Sequence, residues 1–569
     1  MFRLFHFCCL SICIFILLGA CNNRSSQVNR PIQVQLAAEP SMLHPLLGND
    51  ANRSLVLDFV GQSLITVNPK DGKLVPVLAE ALPVVSEDGL NIAFRINPSA
   101  HWPDGKKITA EDVIFSMKAL TATDHPQGQF GRMVNTISKV EASGQDVSFV
   151  MNTAEVYNIH KLSGILILDG RFYDTNNILG SVSLDSLLLN IQSAPGEPGV
   201  LDADPRIIAW NEHIASDRFV KGFYATKGII GPYQVSNWDP GSSITLIKNP
   251  NYWGASLPQA WHQQAADSFT FRFIKDPNSL RLQLRQEALD VALQLPGQTI
   301  NDSIKLETYD LQAYDNNMYT YLAFNTREGA LKESSLRQAI SYLMPVEDII
   351  ADQYEGRAVP VLSPVARINP EYNDTLPAYV FAPEKAEALL DQLGIKDYDG
   401  DLVRDIKEDG KTVPFSLNVS YPAGFAAADA TAALFKDACS KVGLTITLEP
   451  TSFKMLGPKI MTHQFEMALL ASSTYSHPYD FEQDFSRNHP GNHTGFGSAK
   501  LDSLIDAAGK ALNPTTRRDL AWQIQAEVHR EKPLMYLFAS SQPVAIHDRL
   551  GNTKVMAYAP YVWLNGLKP

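Results

Sequence analysis

Two kinds of apolar spacing alternate along this chain, and together they restrict its fold more than any other feature. Three segments place apolar side chains at every second position, which is the pattern of a half-buried strand: Ile92, Phe94 and Ile96; Phe269, Phe271 and Phe273; Leu444, Ile446 and Leu448. Two others use the spacing of an amphipathic helix: Leu336, Ala339, Ile340 and Leu343; Ala386, Leu389, Leu390 and Leu393. Strands interleaved with helices predict an α/β fold in layers.

The length of the chain predicts more than one compact unit. Its 569 residues exceed what a single hydrophobic core usually serves. Only one of the five cysteines, Cys439, lies beyond residue 21, so the body of the chain can form no internal disulfide and no cysteine-based metal site. Its stability must therefore come from packed cores.

The first twenty residues predict export. One charged residue, Arg3, precedes an apolar run that is too short for a comfortable transmembrane helix. The run ends in LGAC at residues 18–21, which resembles the lipobox of bacterial lipoproteins, where the cysteine is acylated. We expect a signal peptide at residues 1–20, lipidation of Cys21 and a polar tether at 21–30. An ordinary signal peptide with a chance cysteine, or a retained anchor, is the alternative.

The charge of the chain argues against nucleic acid as a partner. The formal net charge is −13, and the sequence contains no basic stripe of lysine and arginine. Phosphate backbones and anionic membrane surfaces attract basic proteins rather than acidic ones.

The stretch HWPDGKKITAEDV at residues 101–113 resembles a metal or acid–base site, yet a structural interpretation accounts for it. Residues 102–105 have the composition of a turn, and Thr109 followed by Asp112 matches a capping box ahead of an apolar helical stripe. His101 and Asp104 share the turn without a third ligand nearby. We expect a turn and a capped helix without chemistry of its own.

This stretch, with several others, resembles the family 5 extracytoplasmic solute-binding proteins, the peptide- and nickel-binding components of ABC importers. The likeness continues in order through residues 74–96, the GPY strand and NPNYWG turn of 231–254, residues 321–350 and the helix at 382–394. It implies an α/β clamp of two lobes with a ligand cleft between them, of the periplasmic-binding-protein type II, cluster C. Lobe I would comprise residues 31–272 and 535–569, with a subdomain at about 54–220, and lobe II residues 273–534.

The likeness fails at one ligand position. In peptide-binding members an aspartate of lobe II pairs with the peptide ammonium, and the matching position here is Thr474. A desolvated ammonium without a carboxylate is costly. Either Asp480 or another acid replaces that aspartate, or the ligand lacks a free amine. Neighbouring ligand candidates in lobe II are Tyr475 and His477.

Further cleft candidates follow from the same resemblance. Tyr421 and Phe425 lie on predicted loops of lobe II. Two alternatives stay open for them: they line the ligand pocket, or they pack in the core or on the surface. Asp50 and Asn52 follow the first predicted strand and loop of lobe I and are placed at the cleft.

Two groups of residues resemble metal sites without meeting their requirements. Four histidines cluster in sequence without ligand spacing: His463, His477, His489 and His493. Asp397, Asp399, Asp401 and Glu408 have the spacing of a calcium loop, but Leu402 occupies the position that requires glycine. We expect neither a metal nor a cofactor.

The sequence thus predicts a binding protein rather than an enzyme. It would be a lipid-anchored, extracytoplasmic monomer that captures a peptide or peptide-like solute and delivers it to an ABC permease with its ATPase. A metal complex or an oligosaccharide is the alternative ligand. A lipid-anchored hydrolase using the same cleft, or a receptor that has lost transport, is the alternative function, and a close nucleophile–base pair would mark the hydrolase.

Overall fold

A computed structural model describes residues 30–48, 50–68, 70–123, 134–193, 203–293, 295, 307–354, 356–473, 478–551, 553–556 and 567. The predicted signal peptide, the predicted lipidation site Cys21 and nearly all of the predicted tether fall outside these residues. Among the described helices, none combines the length and the apolar character needed to cross a membrane.

Nineteen strands are described. They are β1 (Ile32–Leu36), β2 (Ile65–Val67), β3 (Leu74–Pro76), β4 (Val84–Val85), β5 (Asn91–Arg95), β6 (Ile137–Ser143), β7 (Asp146–Met151), β8 (Tyr233–Asp239), β9 (Ser243–Lys248), β10 (Ser268–Phe273), β11 (Val291–Ala292), β12 (Tyr309–Phe324), β13 (Ala358–Pro360), β14 (Asp405–Glu408), β15 (Lys411–Pro414), β16 (Ser416–Pro422), β17 (Thr445–Thr451), β18 (Met467–Ser473) and β19 (Leu534–His547).

The described helices alternate with these strands. They are α1 (Ala51–Val60), α2 (Ala110–Ala122), α3 (Asn158–Leu162), α4 (Gly170–Tyr173), α5 (Leu184–Ser193), α6 (Pro205–Ile214), α7 (Asp217–Val220), α8 (Pro277–Arg285), α9 (Ser334–Ser341), α10 (Val346–Tyr354), α11 (Pro383–Gln392), α12 (Ala426–Ser440), α13 (Phe453–Met461), α14 (Glu482–Phe485), α15 (Ala499–Lys510) and α16 (Pro514–Glu531). Short 3₁₀ turns lie at Tyr224–Gly228, Ala260–His262, Ala330–Lys332 and Asp548–Leu550.

One sheet extends through both halves of the molecule in the order β17-β16-β18-β12-β19-β11-β1-β10-β9-β8, with β13 added on β19. The long strands β12 and β19 pair antiparallel along most of their lengths, from Tyr309 opposite His547 to Ala323 opposite Leu534. Their register shifts between Asp315 and Tyr319. These two strands therefore carry the chain from one lobe to the other.

The hydrophobic cores separate on either side of this crossing. Buried residues of β1, β10, β11 and the N-terminal helices form one cluster that includes Tyr314 and Val544. Two other clusters cover the opposite faces of the sheet beyond the crossing, one around Phe324 and Leu537, the other around Tyr319 and Tyr536. The fold is thus the two-lobed α/β clamp expected from the sequence.

The sheet register suggests lobe boundaries that differ from residues 272 and 535. After β10, helix α8 and strand β11 return to the same half of the sheet, where β11 pairs in parallel with β1. Tyr309 and Leu280 share a small core there. We therefore propose that lobe I comprises residues 31–314 and 541–556 and that lobe II comprises residues 319–540.

A second sheet, ordered β4-β5-β7-β6, lies within the span 54–220 proposed as a subdomain of lobe I. The alternation at Ile92 and Phe94 is confirmed, because both side chains are buried in β5 while Asn91, Ala93 and Arg95 are exposed. The other period-two segments form β10 and β17.

The capping box at residue 109 is confirmed. Asp112 Oδ2 accepts a hydrogen bond from the Thr109 backbone N–H at 2.8 Å, and α2 begins at Ala110. Trp102 is buried and donates through Nε1 to Asp112 Oδ1 at 3.3 Å, so the turn and the helix start form one unit. Asp104 instead accepts from Arg171 Nη1 at 2.6 Å on the surface.

Candidate functional site

The carboxyl ends of three parallel strands meet at one edge of lobe II. Strands β16 and β17 are parallel over their whole lengths, and β18 is parallel to β16. They end at Pro422, Thr451 and Ser473. Because Ser473 lies opposite Met318 of β12, this edge adjoins the crossing between the lobes.

Lobe I presents an equivalent edge. Strands β1, β10 and β11 are mutually parallel and end at Leu36, Phe273 and Ala292. Ala292 lies opposite Ala545 of β19, so this edge also points toward the crossing. Ligands of open α/β sheets bind outside the carboxyl ends of parallel strands. Two such edges that face each other define the candidate site, which we call the cleft.

The loop after β1 is held by the side chains predicted for lobe I. Asp50 caps α1 by accepting from the Arg53 N–H at 2.8 Å, and it accepts from Ser41 Oγ at 2.7 Å. Asn52 Nδ2 donates to the Ala38 carbonyl at 2.9 Å, two residues beyond β1. The structure therefore places both residues beside the loop that leaves the carboxyl end of β1, where they fix the loop's backbone. Direct ligand contact by Asp50 and Asn52 stays a prediction.

The chain around Tyr479, where the described residues resume beyond β18, is held by a buried ion pair. Arg517 Nε donates to Glu371 Oε1 at 2.7 Å, and both side chains are only 2% exposed. Arg517 Nη2 also donates to the Tyr479 carbonyl at 2.6 Å. This pair positions Tyr479 and therefore the adjoining Asp480.

Asp480 belongs to an acidic group in the chain that follows β18, near Glu155 and Lys161 of lobe I. Loss of hydration raises the pKa of Asp480 even though its side chain reaches solvent, and the carboxylate of Glu155 in lobe I raises it further. Loss of hydration and then Asp480 raise the pKa of Glu482. Burial raises the pKa of Asp484 to about 6, although the Tyr479 hydroxyl donates to that carboxylate.

The electrostatics of this group favour a cation. Lys161 and His489 oppose the rise in the pKa of Asp480, and Lys161 is paired with Glu155 at 3.2 Å. Carboxylates whose ionised form is partly desolvated gain most from a cationic partner. The arrangement can therefore hold an ammonium or a guanidinium group without any covalent chemistry.

The two aromatic candidates of lobe II lie near the same edge and differ in exposure. Tyr421 is buried in β16 next to its carboxyl end, and loss of hydration together with Asp429 raises its pKa. Phe425 is 56% exposed and precedes α12. Of the two, Phe425 has the free surface that ligand contact needs.

Thr474, Tyr475 and His477 lie outside the described residues. The described strand β18 ends at Ser473 and the described chain resumes at Pro478, so these three predictions concern the segment that joins the strand to Asp480.

In the two groups of residues that resemble metal sites, several side chains contact backbone groups. His463 Nδ1 lies 3.0 Å from the His493 carbonyl oxygen, and His489 Nδ1 accepts from the Gly491 N–H. Asp397, Asp399 and Asp405 could approach one cation, but Asp397 accepts from the Gly400 and Leu402 N–H groups. Their carboxylates shape a turn.

Sequence reasoning missed Arg517, Glu371 and Tyr157. Arg517 and Glu371 are 146 residues apart, and Tyr157 Oη lies 3.4 Å from Arg517 Nη1 across 360 residues. The available signal was a charged residue in line with apolar residues at helical spacing, since Arg517 precedes Ala521, Ile524 and Val528 of the lobe II core.

Comparison with known proteins matches this chain to one protein family. The sequence model of the bacterial extracellular solute-binding proteins, family 5 Middle, matches residues 73–492. The chain is 21% identical over 523 residues to the oligopeptide-binding protein AppA of Bacillus subtilis, covering 91% of this chain and 87% of that protein.

Solved structures show the same fold. The structure of Bacillus subtilis AppA in complex with a nonapeptide matches with a TM-score of 0.65 at 20% identity, covering 93% of this chain and 97% of that one. NikA from Brucella suis in complex with Fe(III)-EDTA matches with a TM-score of 0.73 at 20% identity, covering 95% and 100%.

Proposed function

This chain belongs to the bacterial extracellular solute-binding proteins of family 5, and from that premise we propose that it captures a peptide or peptide-like solute with a free amine in the cleft. The observation that carries the proposal is the acidic group of Asp480, Glu482 and Asp484, which follows the carboxyl end of β18 and is held by the hydrogen bonds of Tyr479 with Arg517 and Asp484. Asp480 would supply the carboxylate that Thr474 lacks.

Capture would work by a shift between open and closed lobes. A solute that contacts both carboxyl edges stabilises the closed state by the contacts that only this state provides. The bound solute would then pass to the permease of an ABC importer driven by its ATPase. The binding protein would act as an extracytoplasmic monomer anchored through lipid on Cys21. The names of the relatives, which are binding proteins, support this role over that of an enzyme.

Calorimetric titration tests the role of Asp480. We expect the wild type to bind a pool of tri- to pentapeptides with free amino termini and to bind the N-acetylated pool weakly. Asp480→Asn should lose about 10- to 100-fold in affinity for the free-amine pool, because a hydrogen bond to a charged group contributes about 1.5–3 kcal/mol. Asp506→Asn, at an exposed carboxylate of α15 paired with Lys510, is the matched control.

Three outcomes would count against the proposal. Equal binding of free and acetylated pools would show that the cleft does not select an ammonium. Mass spectrometry of small molecules released by denaturing the purified protein gives the second test: a metal complex or an oligosaccharide would replace the peptide as ligand. Hydrolysed products from intact peptides would instead favour the hydrolase.

A further inference from the structure

The buried Arg517 of lobe II contacts lobe I as well as the loop that carries Asp480. We propose that Arg517 is a positioning residue that couples closure of the two lobes to the placement of this loop, with Tyr157 as its partner in lobe I. The inference deepens the proposed function, since it concerns how the same cleft closes.

The first step is the fixed position of Arg517 within lobe II. Its guanidinium donates to both oxygens of Glu371, at 2.7 and 3.3 Å, to the Tyr479 carbonyl at 2.6 Å and to the Ala508 carbonyl. Such a planar fork holds several acceptors in one geometry, which a lysine cannot do. The chain around Tyr479 and the end of α15 are therefore fastened to one side chain.

The second step is the contact with lobe I. The Arg517 guanidinium carbon lies 4.9 Å from the centre of the Tyr157 ring, and Nη1 lies 3.4 Å from the Tyr157 hydroxyl. Tyr157 precedes α3, whose Leu162 belongs to the lobe I core. Because Tyr157 is only 9% exposed, this cation–π contact is largely shielded from water. Cation–π contacts are stronger when they are shielded in this way.

Two neighbouring contacts support the same interface. The Val156 N–H donates to the Gly509 carbonyl at 2.9 Å, which joins the backbones of the two lobes. Gly89 of lobe I approaches Leu512 so closely that a Cβ atom at Gly89 would lie 3.2 Å from Leu512 Cδ1. The lobes thus meet at a small, close contact centred on the Arg517–Tyr157 pair.

The third step is the coupling. The guanidinium that meets Tyr157 also holds the carbonyl of Tyr479, the residue before Asp480. Opening of the lobes removes Tyr157 from Arg517, whereas closure completes its set of partners. The contact therefore stabilises the closed state without requiring a solute, and it does so at the residue that positions the acidic loop.

A distance measurement between spin labels tests this inference on the full chain without peptide. Labels attached to Ser186→Cys on α5 of lobe I and Glu387→Cys on α11 of lobe II report lobe separation, and both sites are exposed. The background replaces Cys8, Cys9, Cys13 and Cys21 with serine, and the remaining Cys439 is buried. In the wild-type background we expect a measurable short-distance, closed population.

Substitutions at Tyr157 should reduce that closed population in graded steps. Tyr157→Ala removes the ring and the hydroxyl, and we expect about a fivefold lower ratio of closed to open molecules, from the typical strength of a cation–π contact. Tyr157→Phe keeps the ring, so its loss should be smaller. The matched control is Tyr224→Ala, since Tyr224 faces Arg218 at 4.3 Å within lobe I alone and its loss should leave the distances unchanged.

The outcomes are distinct from those for peptide binding. Absence of a closed population in the wild type, or equal distances in wild type and Tyr157→Ala, would overturn the inference even if peptides bind. A graded opening in the order wild type, Phe and Ala supports it even if the peptide pool does not bind. Thermal unfolding of Tyr157→Phe and Tyr157→Ala confirms that each variant is folded when the distances are measured.

Discussion

At the scale of single residues, Asp290 shows how one buried charge organises distant strands. Its carboxylate is fully buried and accepts from Arg30 at 2.7 and 3.0 Å, from Arg549 Nη2 at 2.6 Å and from the Gln33 N–H at 2.7 Å. Asp290 immediately precedes β11, while Gln33 lies in β1, Arg30 precedes β1 and Arg549 follows β19. Two guanidiniums around one carboxylate satisfy its charge and fasten three strands of lobe I.

Replacing Asp290 should be strongly destabilising. Asp290→Ala leaves two arginines without their shared partner, and removal of one member of a buried ion pair typically costs about 3–5 kcal/mol. The midpoint of urea unfolding followed by circular dichroism measures the change. Asp267→Ala, at a 64% exposed carboxylate paired with Lys248 at 2.6 Å, should cost less than about 1 kcal/mol. Equal losses in both variants would contradict this account.

A pH dependence follows from Asp484. Burial raises the pKa of this carboxyl to about 6, above the ordinary value for aspartate. At a pH between these two pKa values, the folded protein keeps the proton whereas the unfolded chain has released it. Rising pH across that window therefore destabilises the folded state. Asp484→Asn should be more stable than the wild type above pH 6, and the difference should vanish near pH 4.

Urea titrations at pH 4, 5, 6, 7 and 8 measure this difference. Asparagine can still accept from the Tyr479 hydroxyl, so the substitution changes the charge while preserving that hydrogen bond. A constant difference at every pH would show that the folded pKa of Asp484 is not raised.

At the scale of elements, the loop between α11 and β14 carries strain at one position. Leu402 has a φ of +71° and its side chain is 82% exposed, so an L residue occupies the left-handed region without packing in return. The Asp397 and Asp399 carboxylates hold the backbone N–H groups around it. This is the position where the calcium-like spacing calls for glycine.

Leu402→Gly should therefore stabilise lobe II. Relief of the left-handed strain is expected to contribute up to about 1 kcal/mol, because glycine adopts positive φ at no steric cost. Thermal unfolding measures the shift. Leu282→Gly, at a 55% exposed position inside α8, is the control and should destabilise, because glycine gives the unfolded chain more backbone freedom there without relieving strain. A loss of stability in both variants would show that Leu402 is not strained.

At the scale of the whole molecule, two lobes with separate cores share one sheet through β12 and β19. Phe269 lies in the lobe I core and Phe435 in the lobe II core, and both side chains are buried. Cores that do not touch contribute to stability independently when the connection between them is narrow. The two lobes should therefore unfold as separable units.

Scanning calorimetry should show two transitions in the peptide-free protein. Phe435→Ala should lower one of them and Phe269→Ala the other, each by a loss of about 3–5 kcal/mol in its own lobe. Movement of both transitions by either substitution would show that the shared sheet couples the lobes into one cooperative unit.

Local patterns in the sequence determined much of this protein. The strands at residues 92, 269 and 446, the capped start of α2 and the family itself follow from residues within a few positions of one another, because side-chain period and helix capping depend on near neighbours. The lack of a disulfide framework in the body follows from counting cysteines.

Only the tertiary structure decided which residues share the cleft. The order of strands in the sheet brings two carboxyl edges face to face and moves the proposed lobe boundary from residue 272 to the crossing after Tyr314. It also joins Arg517 to Glu371, Tyr479 and Tyr157 across 146, 38 and 360 residues. No local rule relates such distant positions, because their contact depends on sheet order and packing, which the whole chain determines together.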